Sequence, residues 1–208
     1  KTQVWANIDN SESLFAYIGH SLSNDFQLDI INIGAFKGIQ PRGGKRGEIV
    51  NTFLDEGAEK TRVGGKFMFK RPSKNLPFWG AARISAGRDG WLSGGAGYLF
   101  TELIGTWKFS EKVALNINPK VAWNAISSPK GLGIGANIQL SKQFQLIPEL
   151  NIADKSNGDT NGTIAIRWLF NQNANVDIYL SSAGGLQDIG QLVGAGEERL
   201  GTRFNITY

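Results

Sequence analysis

The chain of 208 residues contains no cysteine, one histidine and one methionine. The lack of cysteine excludes disulfides, thiolate metal sites and cysteine nucleophiles. With one histidine, a Ser-His-acid catalytic site would have to use His20, and no histidine pair is available to bind a metal. The only methionine, Met68, is internal, so the chain that begins at Lys1 is interpreted as a processed form whose signal peptide has been removed.

Long apolar runs and dense charge are also missing. No stretch approaches the roughly 18 apolar residues of a membrane-spanning helix. Charged residues make up 19% of the chain, below the roughly 25% of soluble domains. The net charge is +4 without a long run of Lys and Arg, which argues against a nucleic-acid partner. Helical membrane spans are therefore excluded, whereas β-spans are not, because averaging hides their alternating pattern.

One turn motif recurs along the chain. It reads apolar residue, Ser, two polar residues, apolar residue, any residue, Leu, and it occupies residues 22–28, 109–115 and 140–146, with a related variant at 170–176. Short polar turns between segments of alternating hydrophobicity are typical of β-hairpins. Longer irregular stretches separate the hairpins, at residues 9–12, 38–60, 89–95, 125–130, 154–162 and 182–199. This alternation predicts an up-and-down barrel with short turns at one end and long loops at the other.

The predicted fold is all-β: a 12-stranded up-and-down antiparallel transmembrane β-barrel, formed by a single domain over residues 1–208. An even number of strands places both termini at the short-turn end. Pro119 and Pro148 lie inside strands, where each removes a hydrogen-bond donor, so a bulge or a tolerant register is expected there. Ile30 and Ile31 break the alternation, which indicates a bulge. The predicted strands are residues 2–8, 13–22, 25–37, 61–71, 77–88, 96–109, 113–124, 131–140, 143–152, 162–170, 175–181 and 199–208.

The two faces of the predicted strands differ in character. In strand 113–124 one face carries Val113, Leu115, Ile117 and Val121, without a charge, and the other carries small and amide residues with sparse charges. A water-facing surface would hold about a third Lys, Arg, Glu and Asp, so the apolar face is predicted to meet lipid. Aromatic residues near strand ends fit the interfacial girdles of a membrane barrel. They are Trp5, Trp79, Trp91, Trp107, Trp123, Trp168 and Tyr208.

The last six residues alternate between polar and apolar up to a final aromatic. In this stretch Phe204, Ile206 and Tyr208 resemble the C-terminal assembly signal of bacterial outer-membrane β-barrel proteins. The hairpin plan resembles, more loosely, the porin-like members of that class. The resemblance implies the outer membrane of a Gram-negative-type cell and contact with a bilayer of lipid and lipopolysaccharide. It also implies recognition by the outer-membrane assembly machinery through Phe204, Ile206 and Tyr208.

Charged residues on the inward face are the main indication of function. Ten are predicted to line a pore: Lys66, Lys70, Arg83, Glu102, Lys108, Lys120, Glu149, Arg167, Asp177 and Arg203. Seven are positive and three negative, and a low-dielectric wall focuses the resulting field. We therefore expect an outer-membrane channel for passive diffusion of small solutes, with a mild preference for anions. In the alternative, these residues pair across the lumen and only fill it.

Two long loops carry apolar residues at helical spacing. Ile49, Phe53 and Leu54 lie in the first, and Leu186, Ile189 and Leu192 lie in the second. Short helices are predicted in both loops. They would narrow the channel by folding over or into its mouth, pack on its rim, or bind an external partner.

Two other functions compete with the channel. Outer-membrane phospholipases and lipid A deacylases, which the chain resembles in general plan, imply a serine and histidine site that would need His20. However, His20 precedes a short turn, which places it at the opposite rim from such a site. A non-conducting barrel that anchors or binds through its loops is the third possibility. No enzymatic activity, cofactor or metal is predicted.

Overall fold

The computed structural model describes residues 1–10, 14–32, 61–88, 97–124, 128–154, 158–183, 188–192 and 194–208. In these residues twelve β-strands form a closed antiparallel barrel. The strands are β1 (Thr2–Asp9), β2 (Leu14–Ser21), β3 (Phe26–Asn32), β4 (Thr61–Lys70), β5 (Phe78–Arg88), β6 (Gly97–Lys108), β7 (Val113–Asn124), β8 (Lys130–Gln139), β9 (Phe144–Ala153), β10 (Asn161–Leu169), β11 (Ala174–Ala183) and β12 (Gly194–Thr207). The prediction of a 12-stranded up-and-down barrel is confirmed.

The barrel closes where β12 pairs with β1. The register runs continuously from Gln3 opposite Thr207 to Asp9 opposite Gly201. Beyond this ladder, Thr2 and Tyr208 exchange two backbone hydrogen bonds of 3.1 and 2.8 Å. Both termini therefore lie at the short-turn end, as an even number of strands requires.

The serine of the recurring turn motif is explained by local hydrogen bonds. Ser23 Oγ accepts from the backbone N–H groups of Asp25 and Phe26, at 3.2 and 3.1 Å. Ser110 and Ser141 make the same pair of bonds in their own turns. A hydroxyl thus satisfies amide donors that the tight chain reversal leaves outside the ladder.

The burial of side chains is inverted relative to a soluble protein. Large apolar side chains such as Ile18, Ile84 and Ile178 are more than half exposed on the outer face, whereas Asn7 and Lys120 are almost completely buried inside. A barrel in water would place its apolar face inward, so this arrangement is that of a barrel whose wall meets lipid. No helix in the described part of the chain is long and apolar enough to cross a membrane.

The observed strands differ from the predicted ones mainly at the start of β12 and in two bulges, one on β11 and one on β4. β12 begins at Gly194, five residues before the predicted start, and a bulge between Ser181 and Ala183 accommodates this extension on β11. A second bulge falls between Met68 and Lys70. The bulge predicted at Ile30 is wrong, because β3 keeps one register with both neighbours through this residue.

The two internal prolines leave the register intact. On β7 the ladder to β6 passes from Lys120 to Ile117 without bridging at Pro119, and the offset is unchanged. On β9 the ladder to β8 skips Pro148 in the same way. At each proline the ladder omits the missing hydrogen-bond donor and keeps its register, so the expected tolerant register is observed rather than a bulge.

Two inward tyrosines lie flat against glycines on the neighbouring strand. Tyr98 pairs with Gly87, where an added Cβ would lie 2.7 Å from the tyrosine Oη. Tyr179 pairs with Gly201, where an added Cβ would meet the tyrosine ring and hydroxyl even more closely. Glycine is required at both positions, because any side chain there would collide with the tyrosine ring that lies along the wall.

The membrane barrel itself predicts heat-modifiable migration. Unboiled protein in mild detergent is expected to run faster on a denaturing gel than boiled protein, because the closed ladder resists detergent at room temperature. Identical migration of the two samples would contradict a stable closed barrel.

Replacement of Gly201 by Ala is expected to destabilise the barrel by about 1–3 kcal/mol, because a methyl group overpacks the contact with Tyr179. The temperature at which the faster gel band disappears measures this effect. Gly162→Ala is the matched control, since its nearest neighbour, Glu149 O, lies at an ordinary 3.5 Å. Equal midpoints for the two variants would contradict the assigned packing.

Candidate functional site: the charged lumen

Strands β3 to β6 carry the first charged cluster on the inner wall. Asp29 Oδ2 lies 3.2 Å from Arg62 Nη2 and 3.4 Å from Arg83 Nη2, and both Asp29 and Arg62 are almost completely buried. Gly64 stands opposite Asp29, and a Cβ there would lie 3.0 Å from the Asp29 carboxylate. The glycine therefore leaves room for a carboxylate shared by two arginines.

A short 3₁₀-helix, Asp188–Leu192, extends from the long-loop end into this cluster. We call it the lumen helix. Asp188 is buried between Arg62 and Arg83, in ion-pair contact with the first and 3.1 Å from Nη2 of the second. Ser85 Oγ donates a hydrogen bond to Asp188 Oδ2 at 2.7 Å, and Tyr98 Oη lies 3.5 Å from the same oxygen. The carboxylate is thus surrounded by donors of the wall.

The second cluster, on β6 to β10, is centred on the buried Lys120. Its Nζ donates to Asn151 Oδ1 at 2.8 Å and to Gln191 Oε1 at 2.9 Å, and lies 3.5 Å from Glu102 Oε1. Gln191 in turn donates to Glu149 Oε1 at 3.0 Å. The lumen helix therefore bridges a cation and an anion of the wall through one amide.

The end of the lumen helix is held by apolar packing. Leu192 is fully buried in a small cluster with Tyr98, Phe100, Ala122 and Ala153. Its carbonyl also accepts a hydrogen bond of 3.0 Å from the backbone N–H of Asp159. The two ends of the helix are thus held differently, by charge at Asp188 and by packing at Leu192.

A third cluster lies on β10 to β1, nearer the short-turn end. Arg167 makes two hydrogen bonds to the Asp177 carboxylate, at 2.6 and 2.9 Å. The Arg203 guanidinium stands 4.7 Å above the Trp5 ring, which stacks on Tyr17 at 5.1 Å. The assignment of Trp5 to an interfacial girdle is therefore wrong, because its phase on β1 points it inward.

The remaining predicted girdle aromatics divide between the two faces. Trp107, Trp123, Trp168 and Tyr208 are exposed on the outside, as predicted. Trp79 instead lines a lumen cavity of about 250 Å³ at the short-turn end, together with residues of β6 to β9. Trp91 lies outside the described residues.

A cavity of about 100 Å³ separates the lumen helix from the third cluster. It is lined by Glu149, Asn151, Arg167, Asp177, Gln191 and Arg203, among others. The lumen therefore contains a space between the lumen helix and the third cluster.

Eight of the ten predicted pore-lining residues lie on the inner side of the wall, inside the rims: Lys66, Arg83, Glu102, Lys120, Glu149, Arg167, Asp177 and Arg203. Lys70 is exposed at the end of β4, where the bulge after Met68 changes the phase. Lys108 also faces inward, but at the short-turn rim, where it lines the cavity of Trp79 and lies 2.9 Å from Glu111 Oε2. That these residues line a conducting pore stays a prediction.

Sequence reasoning missed five inward charges: Asp9, Asp29, Arg62, Asp188 and Arg199. Arg62 is in phase with Lys66, so alternation could have identified it. Asp29 was obscured by the broken alternation at Ile30, and Asp188 lies in a loop without a periodic signal. With the predicted eight, they bring the described lumen to seven cations and six carboxylates, a near balance. Most of the charges form ion pairs.

The predicted loop helices are only partly represented. Ile49, Phe53 and Leu54 lie outside the described residues, as does Leu186. The lumen helix contains Ile189 and Leu192 and lies inside the barrel mouth. For this loop the structure favours insertion into the mouth over packing on the rim.

His20 lies at the short-turn end of β2. Its Nδ1 is 2.9 Å from Thr2 Oγ1 on β1, and its side chain is exposed. Among the described residues, no group of three or more His, Cys, Asp and Glu side chains is arranged to hold a metal. The geometry thus provides a neighbouring hydroxyl for His20 and no carboxylate of the described residues within ion-pair distance.

Comparison with known proteins identifies the fold. No protein-family model matches the chain. No curated protein matches its sequence. Among solved structures, the KdgM porin in complex with disordered oligogalacturonate is similar with a TM-score of 0.64 and 9% identity, covering 100% of this chain and 98% of the porin. The NanC porin has a TM-score of 0.61 and 7% identity, with coverage of 100% and 99%.

A third similar structure is the COG4313 outer membrane channel from Pseudomonas putida F1. Its TM-score is 0.60 at 11% identity, and the alignment covers 100% of this chain and 94% of the channel. At such low identities the likeness is one of fold. The chain therefore has the closed twelve-stranded barrel fold of outer-membrane porins.

Proposed function

We propose that the protein is an outer-membrane channel through which small solutes diffuse passively, without enzymatic activity. The observation that carries this proposal is the inverted barrel, whose apolar face is outside and whose charged groups line a polar interior. A twelve-stranded barrel is wider than the eight-stranded barrels that side chains fill. The fold shared with three solved porins and channels supports the same function.

A mild preference for anions is proposed from two cations. No described carboxylate lies within 4.0 Å of Lys66 or Arg203, whereas the other inward Lys and Arg residues form ion pairs. The Arg203 guanidinium is held against Trp5, so its charge stays in the lumen near the cavity. Because most other charges cancel in pairs, these two cations would dominate the field that a passing ion meets.

We also propose where the protein is located and what it contacts there. Phe204 on β12 and Tyr208, directly after it, are exposed, and lipid or an assembly factor would contact them there. The outer face of the neighbouring strands is apolar, which fits a bilayer of lipid and lipopolysaccharide. The expected location is the outer membrane of a Gram-negative-type cell.

Planar-bilayer recording tests the channel and its selectivity. The purified protein is expected to produce discrete conductance steps, with a reversal potential in a KCl gradient that shows chloride to be preferred. Arg203→Gln should lower the ratio of anion to cation permeability by about twofold, because it removes a lumen cation without an ion-pair partner.

Arg71→Gln is the matched control for Arg203→Gln. Arg71 carries the same charge but is exposed at the short-turn rim and paired with Asp25 at 2.6 Å, where salt screens it. A silent protein would overturn the channel, and a cation-selective one would overturn the proposed preference.

Replacement of His20 by Ala tests the enzymatic alternative. We expect unchanged conductance, since His20 is exposed at the rim and contacts Thr2 rather than the lumen clusters. Phospholipid hydrolysis by the wild-type protein that disappears in this variant would instead support a hydrolase.

A further inference from the structure

The wall of the first cluster forms a binding site for a carboxylate without help from the lumen helix. Arg62, Arg83, Ser85 and Tyr98 lie on three adjacent strands, and Arg62, Ser85 and Tyr98 are buried. Their donor groups converge on one point, where the Asp188 carboxylate lies. Asp29 of the wall also contacts both guanidinium groups. Together with the Ser85 hydroxyl, the two groups form a geometrically specific set for a second carboxylate.

The group that occupies this site comes from a loop rather than from the wall. Asp188 adopts a φ of 54°, the one positive φ among the described residues other than glycine. The left-handed region is unfavourable for L-residues, although Asp and Asn tolerate it better than most. Such a conformation persists where surrounding contacts impose it. The contacts of Asp188 with the arginines and Ser85 therefore hold the backbone here.

The other anchor of the lumen helix has no charged side chain of its own. Leu192 packs in its apolar cluster, and Gln191 bridges Lys120 and Glu149. Loss of the Asp188 contacts would release the beginning of the helix while its end stays attached. The Asp188 ion pairs therefore hold only the beginning of the lumen helix.

We infer that Asp188 is an internal, autoinhibitory ligand of a carboxylate site on the channel wall. A small carboxylate-bearing solute competes with Asp188 for Arg62, Arg83 and Ser85, and its binding frees the beginning of the lumen helix and widens the mouth. The inference rests on the proposed channel function for its effect on conductance, but not for the binding site. Because Asp188 is tethered beside the site, a free carboxylate has to reach roughly millimolar concentration to displace it.

The test compares the wild-type protein with Asp188→Asn. Asn has the same shape, tolerates a positive φ and removes the charge. In planar bilayers we expect Asp188→Asn to raise the single-channel conductance by about twofold or more, because the mouth is no longer held narrow. Asp25→Asn is the matched control, since it removes an equivalent charge from an exposed rim ion pair with Arg71.

Binding is measured separately, with malonate as the probe. Malonate at constant ionic strength should delay the heat-induced loss of the folded gel band, as a ligand of the folded state does. Half-maximal protection of Asp188→Asn is expected at a concentration about tenfold lower than for the wild type, because the internal competitor is gone. Addition of Arg62→Gln to the Asp188→Asn variant should abolish this tenfold shift in the malonate concentration.

The outcomes separate the two proposals. Equal conductance and equal malonate protection in the wild type and Asp188→Asn would overturn the internal ligand. Silent bilayers with the expected malonate shift would overturn the channel and leave the site standing. Should Asp188→Asn fail to give a folded band, Ser85→Ala serves instead. It removes the 2.7 Å hydrogen bond to Asp188, and a rise in single-channel conductance is required of it. Malonate protection is not compared for this variant, because Ser85 belongs to the carboxylate site itself.

Discussion

The hydrogen bonds between β1 and β12 are the interaction on which the rest of the structure depends. A bilayer core offers no water to unpaired backbone groups, and each such group costs several kcal/mol there. An open sheet of these strands would present two edges to lipid. The continuous register from Gln3 to Asp9 on β1 removes both edges and makes a lipid-facing wall possible.

Closure also creates an interior in which charges are confined. A buried charge is unfavourable unless a counter-charge and hydrogen bonds surround it. Along the wall this requirement is met by the sharing of partners: Asp29 contacts two arginines, and Lys120 contacts both an amide and a carboxylate. The lumen helix completes two of these clusters through Asp188 and Gln191. The polar interior and the inserted loop are therefore a single electrostatic unit.

Alternation along the strands predicted more of the site than residue type did. It placed Lys120, Glu149 and Arg203 inward, because period-2 geometry leaves a strand residue only two directions. Trp5 was assigned to the outside as an aromatic near a strand end, yet Asn7 and Asp9 on the same face are buried. At Ile30 the alternation is interrupted, and for this reason it did not predict that Asp29 faces inward.

The sequence by itself determined the number of strands, the positions of the hairpins and the face that meets lipid. Each of these follows from contacts between neighbours along the chain or across one turn, so periodicity and turn residues record them. Only the tertiary structure decided what occupies the lumen. Ser85 and Asp188 are 103 positions apart and belong to a strand and a loop. Their contact exists because closure of the barrel brings the strand β5 and the loop after β11 to the same interior. The local sequence pattern around either residue does not predict this contact.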